Sequence, residues 1–219
     1  MKQLSQIVVI MLVLDFSANA APKPHVVALG RWTTISWRAQ DGESKPIQLK
    51  IRPLYVDGRT KEFTIGASHD VTERTFVVQR IYRLNDSLPQ QSGPTQWQWQ
   101  RGAWLLVDRV SGKVQPIALP EFDPDTSAVN WYRDYAAYCG LADDGQKLFT
   151  VLVQIGRRKP LLKKLVGDTN ESQPTCELPV WERNPMRVTF APQPDQKLTF
   201  KIKSRAVDAV TSDESEGGE

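Results

Sequence analysis

The chain has little of the side-chain chemistry on which metal sites and nucleophilic catalysis depend. Its 219 residues include two histidines, His25 and His69, and two cysteines, Cys139 and Cys176. Two imidazoles exclude a histidine-rich metal site, and neither cysteine has a histidine near it in sequence to act as its base. The sequence also has no nucleophile elbow and no helpfully spaced pair of carboxylates, so we predict no catalytic residue, no metal and no cofactor.

Long apolar runs are absent after the N-terminus. The run there, "IVVIMLVL", follows Lys2 and is far shorter than the about 20 apolar residues that cross a bilayer. It leads to Ala18–Asn19–Ala20, the small-x-small pattern that signal peptidase cleaves. We predict a signal peptide over residues 1–20, the alternative being a buried N-terminal segment. The protein is then exported, periplasmic or secreted, with no transmembrane span.

Neither sign of charge is in large excess. The formal net charge is +3, and it is unchanged by removal of residues 1–20 because Lys2 and Asp15 cancel. This mild, mixed charge does not favour nucleic acid as a partner. Residues 211–219 are acidic and lack apolar side chains, which predicts a disordered tail. We expect one β-rich domain over residues 21–210, with a weak seam near residues 85–95, where the chain is rich in proline, serine and glutamine.

No stretch has an apolar stripe of helical period for three turns, whereas alternation with period two is frequent. Ile47, Leu49 and Ile51, for example, alternate with polar residues. Turn signals separate these runs at Asp41–Gly42, Asp57–Gly58, Ser111–Gly112, Asp144–Gly145, residues 156–159 and residues 193–196. We predict an all-β fold of antiparallel hairpins that form a sandwich or a partial β-propeller-like sheet array. The strand–turn–strand rhythm of residues 104–119 and 135–166 resembles propeller blades.

Cys139 and Cys176 are predicted to form a disulfide. They are the two cysteines of a chain with an export signal, and oxidising compartments favour pairing. In the chain-entropy description, closing a loop of this length stabilises the fold by about 4 kcal/mol. The alternative is two free buried thiols.

The stretch "NWYRDYAAYCG", residues 130–140, combines aromatic, charged and small side chains. On a strand, Tyr135, Ala137 and Cys139 share one face, while Ala136 and Tyr138 share the other. Small residues on both faces predict a strand packed closely on each side, as in the centre of the fold.

Trp131, Arg133 and Asp134 precede this strand and are the ligand-binding candidates of the chain. Arginine can form a bidentate bond with a carboxylate or phosphate, and tryptophan offers a stacking face. The alternative interpretation is structural: Trp131 closes the end of the core, and the two charged residues bond to loop backbone.

Three other signals have both a structural and a functional interpretation. Trp97 and Trp99 lie on one strand face and are predicted to be buried; if exposed, they would form a platform for sugar rings. Residues 157–164, "RRKPLLKK", predict a solvated hairpin tip or a contact for anionic lipid headgroups or acidic glycan. Ser68, His69 and Asp70 have the residue types of a hydrolase triad, but strand neighbours point to opposite faces.

Two functional hypotheses follow from the sequence. The first is an exported, non-catalytic β module that binds a partner protein or a glycan, or is structural in the cell envelope. The second is a small exported hydrolase with an unrecognised active site.

Overall fold

The computed structural model describes residues 24–38, 45–90, 92–169, 176–193, 195–203 and 206–210. Over these residues all regular secondary structure is strand, which confirms the predicted all-β fold. In this part of the chain there is therefore no helix of the length and apolar character needed to cross a membrane. The predicted signal peptide, the Asp41–Gly42 turn and the acidic tail lie outside the described residues.

The first sheet contains seven antiparallel strands. Their order is β1-β3-β4-β5-β6-β7, and β2 pairs with β3. The strands are β1 (Val27–Leu29), β2 (Thr33–Trp37), β3 (Ile47–Val56), β4 (Arg59–Asp70), β5 (Thr75–Asn85), β6 (Trp97–Asp108) and β7 (Val114–Pro116). Residues 85–95, where the sequence suggests a weak seam, connect β5 to β6, and these two strands pair with each other along most of their length.

The central sheet and the third sheet contain four antiparallel strands each. The central sheet has the order β11-β10-β9-β8, and the third sheet has the order β12-β13-β14-β15. The strands are β8 (Asn130–Tyr132), β9 (Tyr135–Leu141), β10 (Lys147–Gln154), β11 (Leu162–Asp168), β12 (Val180–Glu182), β13 (Arg187–Gln193), β14 (Gln196–Lys203) and β15 (Ala206–Ala209).

The predicted acid–glycine and serine–glycine turns connect neighbouring strands. Asp57–Gly58 joins β3 to β4, Ser111–Gly112 lies between β6 and β7, and Asp144–Gly145 lies between β9 and β10. The three glycines have φ of 75°, 63° and 68°, a left-handed conformation that glycine adopts without steric cost. Local turn chemistry therefore explains these three reversals.

The central sheet is covered on both faces by the other two sheets. One face of β9 presents Tyr135, Ala137 and Cys139 to a core shared with the third sheet, which includes Phe190 and Phe200. The opposite face presents Ala136 and Tyr138 to a second core, shared with the first sheet, which includes Val77, Trp104 and Leu106. Both the facing pattern and the central position predicted for this strand are confirmed. The layered arrangement is consistent with the sandwich alternative, and the propeller-like alternative is not confirmed.

Small side chains in β9 allow this close approach from both sides. Ala136 and Ala137 are fully buried, one on each face. A methyl group at Gly140 would overlap the backbone carbonyl of Glu121, which lies in the loop that covers the strand. Tyr138 fits because its hydroxyl donates a hydrogen bond of 2.7 Å to the carbonyl of Pro120 in the same loop. Burial raises the pKa of the Tyr138 phenol, which therefore stays neutral.

The first sheet extends beyond the central sheet and curls upon itself. Ile51, Ile65 and Ile81 form a separate small core against which Trp99 packs. At this end β2 and β6 approach without pairing, and the guanidinium of Arg101 lies 4.4 Å from the ring centroid of Trp37. The extension leaves the outer ends of β4, β5 and β6 without a covering layer from the central sheet.

Substitution of Gly140 tests the tight contact between β9 and its covering loop. We expect Gly140→Ala to lower the free energy of unfolding by about 1–3 kcal/mol, because backbone rather than a flexible side chain must move. Gly167→Ala in β11 is the matched control: its new methyl group would lie 3.5 Å from the side-chain nitrogen of Gln193, an ordinary contact. Urea denaturation of both variants measures the difference, and equal stability would contradict the packing described.

Candidate functional site

Trp131 is part of the core rather than a free stacking surface. Its side chain is 8% exposed and packs in the core between the central and first sheets. The His69 ring stacks on it with centroids 6.3 Å apart, and Trp104 meets it edge-on at 5.3 Å. This placement is the structural alternative stated for Trp131 from the sequence.

Arg133 and Asp134 form the turn between β8 and β9. Arg133 has φ of 53°, and its backbone carbonyl accepts a hydrogen bond of 2.8 Å from Nε2 of His69. The Asp134 carboxylate accepts a hydrogen bond of 2.8 Å from the amide of Gln154. The Arg133 side chain is exposed, and its guanidinium lies 5.3 Å from the ring centroid of Tyr132. Of the three candidates, Arg133 is the one whose charged group faces solvent, and its ligand role stays a prediction.

The surroundings of His69 do not support a serine hydrolase triad. Its Nε2 atom donates to a backbone carbonyl, and the neighbouring Asp70 accepts a hydrogen bond of 2.6 Å from Arg109 instead. The ring is thus fixed by Trp131 and by the β8–β9 turn. His69 connects the first sheet to the central sheet.

The predicted disulfide between Cys139 and Cys176 is present, with Cα atoms 6.1 Å apart. Cys139 lies in β9, and Cys176 precedes β12 of the third sheet. Trp181 of β12 strengthens the same junction, because its Nε1 donates to the carbonyl of Asn130 at 3.1 Å. The bond is compatible with an oxidising, exported compartment.

An aromatic surface lies on the part of the first sheet that extends beyond the central sheet. It consists of Phe63 of β4, Arg83 of β5, and Trp97 and Trp99 of β6. Arg83 lies opposite Trp99 across the β5–β6 pair, and its guanidinium carbon is 5.6 Å and 5.5 Å from the Trp97 and Trp99 ring centroids. Phe63 meets Trp99 edge-on at 5.3 Å. Trp97 is 56% exposed and Phe63 is 37% exposed.

The burial predicted for Trp97 is therefore wrong. Trp99 is half-buried against the small core at this end, but Trp97 lies nearer the end of β6, where none of the described strands of the other two sheets covers it. Alternation in sequence identifies a shared face, and the reach of the neighbouring layer decides whether that face is covered. Phe63, which the sequence did not single out, belongs to the same surface because β4 and β6 both flank β5.

A shallow depression of about 460 Å³ borders the aromatic surface. Phe63, Ile81 and Trp99 form its apolar part, and Lys61 and Arg83 contribute cations. Glu62 also lines it, but its carboxylate is paired with Arg80 at 2.8 Å. The depression combines flat apolar rings with positively charged hydrogen-bond donors.

Comparison with known proteins provides no family assignment. No protein-family model matches the chain, and no curated protein matches it either. Within the described residues, no group of three or more histidine, cysteine, aspartate or glutamate side chains is arranged to hold a metal ion.

Removal of the disulfide should destabilise the protein while freeing a measurable thiol. We expect Cys176→Ser to lower the free energy of unfolding by up to about 4 kcal/mol, because the loop between the cysteines is no longer closed in the unfolded chain. The change should lower the melting temperature and leave one thiol that reacts with Ellman's reagent after unfolding. The unreduced parent protein, unfolded in the same way, should show none; a reactive thiol there would contradict the pairing.

Proposed function

We propose that the protein is an exported, non-catalytic binding module whose aromatic surface binds a glycan. The observation that carries this proposal is the exposure of Trp97 beside Trp99, Phe63 and Arg83 on one sheet face. Large aromatic side chains lose the benefit of burial when they face water, so an exposed group of them indicates a binding surface.

The chemistry of the aromatic surface suits a sugar better than a purely apolar partner. Sugar rings present C–H faces that pack on aromatic rings, and their hydroxyl or carboxylate groups accept hydrogen bonds from a guanidinium or ammonium group. Arg83 and Lys61 supply such donors next to Phe63 and Trp99. The volume of about 460 Å³ lies within the range of about 300–1,000 Å³ common for small-molecule sites.

The charges near the aromatic surface favour an acidic glycan. The acid in the depression, Glu62, is already paired with Arg80, whereas Lys61 and Arg83 form no ion pair among the described residues. A uronate carboxylate placed over these cations would gain charge-assisted hydrogen bonds. The hydrolase alternative has less support, since His69 bonds to backbone and Asp70 pairs with Arg109.

Substitution of Trp97 tests the proposed glycan site. We expect Trp97→Ala to weaken binding of an oligouronate by about tenfold or more, because an exposed stacking ring is removed. Isothermal titration with a tetra-uronate and with neutral tetra-N-acetylchitotetraose measures both the loss of affinity and the preference for an acidic glycan.

Trp32→Ala is the matched control for this experiment. Trp32 is 45% exposed, and its ring lies over the guanidinium of Arg52. Ile51, the strand neighbour of Arg52, points into the small core. Arg52 and Trp32 therefore lie on the face of the first sheet opposite to the aromatic surface. Removal of the Trp32 ring should leave glycan affinity unchanged. Equal losses in both variants, or no binding of either saccharide by the parent protein, would refute the proposed site.

A further inference from the structure

Two hairpin turns bring cations from distant parts of the sequence together at one end of the central sheet. Arg133 lies in the β8–β9 turn, and residues 157–159 form the β10–β11 turn. The backbone N–H of Ile155 donates to the carbonyl of Asp134 at 2.9 Å, which fixes the two turns side by side. The charges of both turns act on the Tyr135 phenol: burial and the Asp134 carboxylate raise its pKa, and the positive charges of Arg133 and Arg157 act to lower it.

Among the described residues, no ion pair neutralises the cations of these two turns. Arg133, Arg157, Arg158 and Lys159 are exposed, and none forms an ion pair within the described part of the chain. The nearest acid along the two turns is Asp134, whose carboxylate bonds to Gln154. The two turns thus present four exposed cations and contain one acidic residue, Asp134.

An apolar groove of about 660 Å³ runs beside the β10–β11 turn. Its apolar wall includes Leu106 of β6, Ile117 of the loop after β7, and Ile155, and residues 157–159 line its cationic wall. We call it the cationic groove. No acidic residue is among the described residues that line it. The groove therefore places an apolar wall directly next to concentrated positive charge.

Three prolines make the cationic groove a poor site for an extended peptide. Pro116, Pro120 and Pro160 line it, and proline has no backbone N–H to pair with a peptide strand. A saccharide would leave the apolar wall without a partner, and a neutral lipid would leave the cations without one. An anionic molecule with a flexible hydrocarbon chain would place its charge against the cationic wall and its chain against the apolar wall.

We propose that the cationic groove binds an anionic phospholipid. The phosphate is held by Arg157, Arg158 and Lys159, with Arg133 adding charge from the neighbouring turn. The first part of an acyl chain packs along Leu106, Ile117 and Ile155. This site is separate from the aromatic surface and does not depend on glycan binding.

Monomeric short-chain lipids test whether charge and chain are both required. We expect dihexanoyl phosphatidylglycerol, below its critical micelle concentration, to bind about tenfold more tightly than dihexanoyl phosphatidylcholine or glycerol 3-phosphate. Titration followed by NMR of the protein measures all three. Equal affinity for glycerol 3-phosphate would indicate a phosphate site without a chain contact and would overturn the proposal. Equal affinity for the choline lipid, or no binding of the glycerol lipid, would overturn it as well.

Charge substitutions locate the lipid site. The triple variant Arg157→Gln, Arg158→Gln and Lys159→Gln should lose about tenfold or more of the phosphatidylglycerol affinity. The matched control replaces three exposed lysines outside the groove, Lys45→Gln, Lys50→Gln and Lys197→Gln, with the same change in net charge. Equal losses in the two triple variants would mean that net charge alone attracts the lipid, and the proposal would fail.

Two further measurements keep this test specific. The melting temperature of each triple variant shows that exposed substitutions leave the fold intact. Trp97→Ala, which alters the aromatic surface, should retain full affinity for phosphatidylglycerol. Loss of lipid binding in that variant would place the lipid on the aromatic surface and overturn the assignment to the groove.

Discussion

The whole architecture depends on the burial of both faces of β9 and β10. Two sheets pack on this pair of strands, and they can do so because alanine and glycine in β9 leave room for backbone on either side. Both faces of these short strands then bury apolar surface, and each Å² of it removed from water stabilises the fold by roughly 25 cal/mol. The Cys139–Cys176 bond and the Trp181–Asn130 hydrogen bond connect the third sheet to this centre covalently and by polar contact. The first and third sheets are therefore held in place by their contacts with the central sheet.

Because packing fills the centre of the fold, the side chains that are free to bind ligands lie at the ends of the layers. The polar and aromatic groups of residues 130–140 serve mainly to join sheets, as with Trp131 against His69 and Tyr138 against Pro120. Exposed aromatic rings remain where the first sheet extends beyond its neighbour. Unpaired cations remain where the hairpins of the central sheet turn back. Both proposed binding sites therefore consist of side chains that the layered core leaves exposed.

Much of this fold could be predicted from the sequence, because its determinants are local. Period-two alternation, the glycines of three turns, and small residues on both sides of Tyr138 each act within a few residues. The exposure of Trp97 could not be predicted in the same way, since it depends on where the central sheet ends. The meeting of Arg133 with Arg157 depends on the β9–β10 register, in which Tyr135 pairs with Gln154. Alternation in the sequence predicts which residues share a strand face. Which residues that face contacts depends on the strand register and on the extent of each layer.

The strand β6 carries side chains of both proposed sites: Trp97 and Trp99 belong to the aromatic surface, and Leu106 lines the cationic groove. At ~3.3 Å per residue, Trp99 and Leu106 are at most about 23 Å apart along β6, whose pairing with β5 shifts register between them. Such a strand acts as a stiff spacer, and no conformational change is needed for both ends to be occupied at once. If the glycan and the lipid belong to the same surface, simultaneous occupation would add avidity through a fixed separation rather than through allosteric coupling. A polysaccharide held at one end would then be kept at a set height above a lipid surface held at the other.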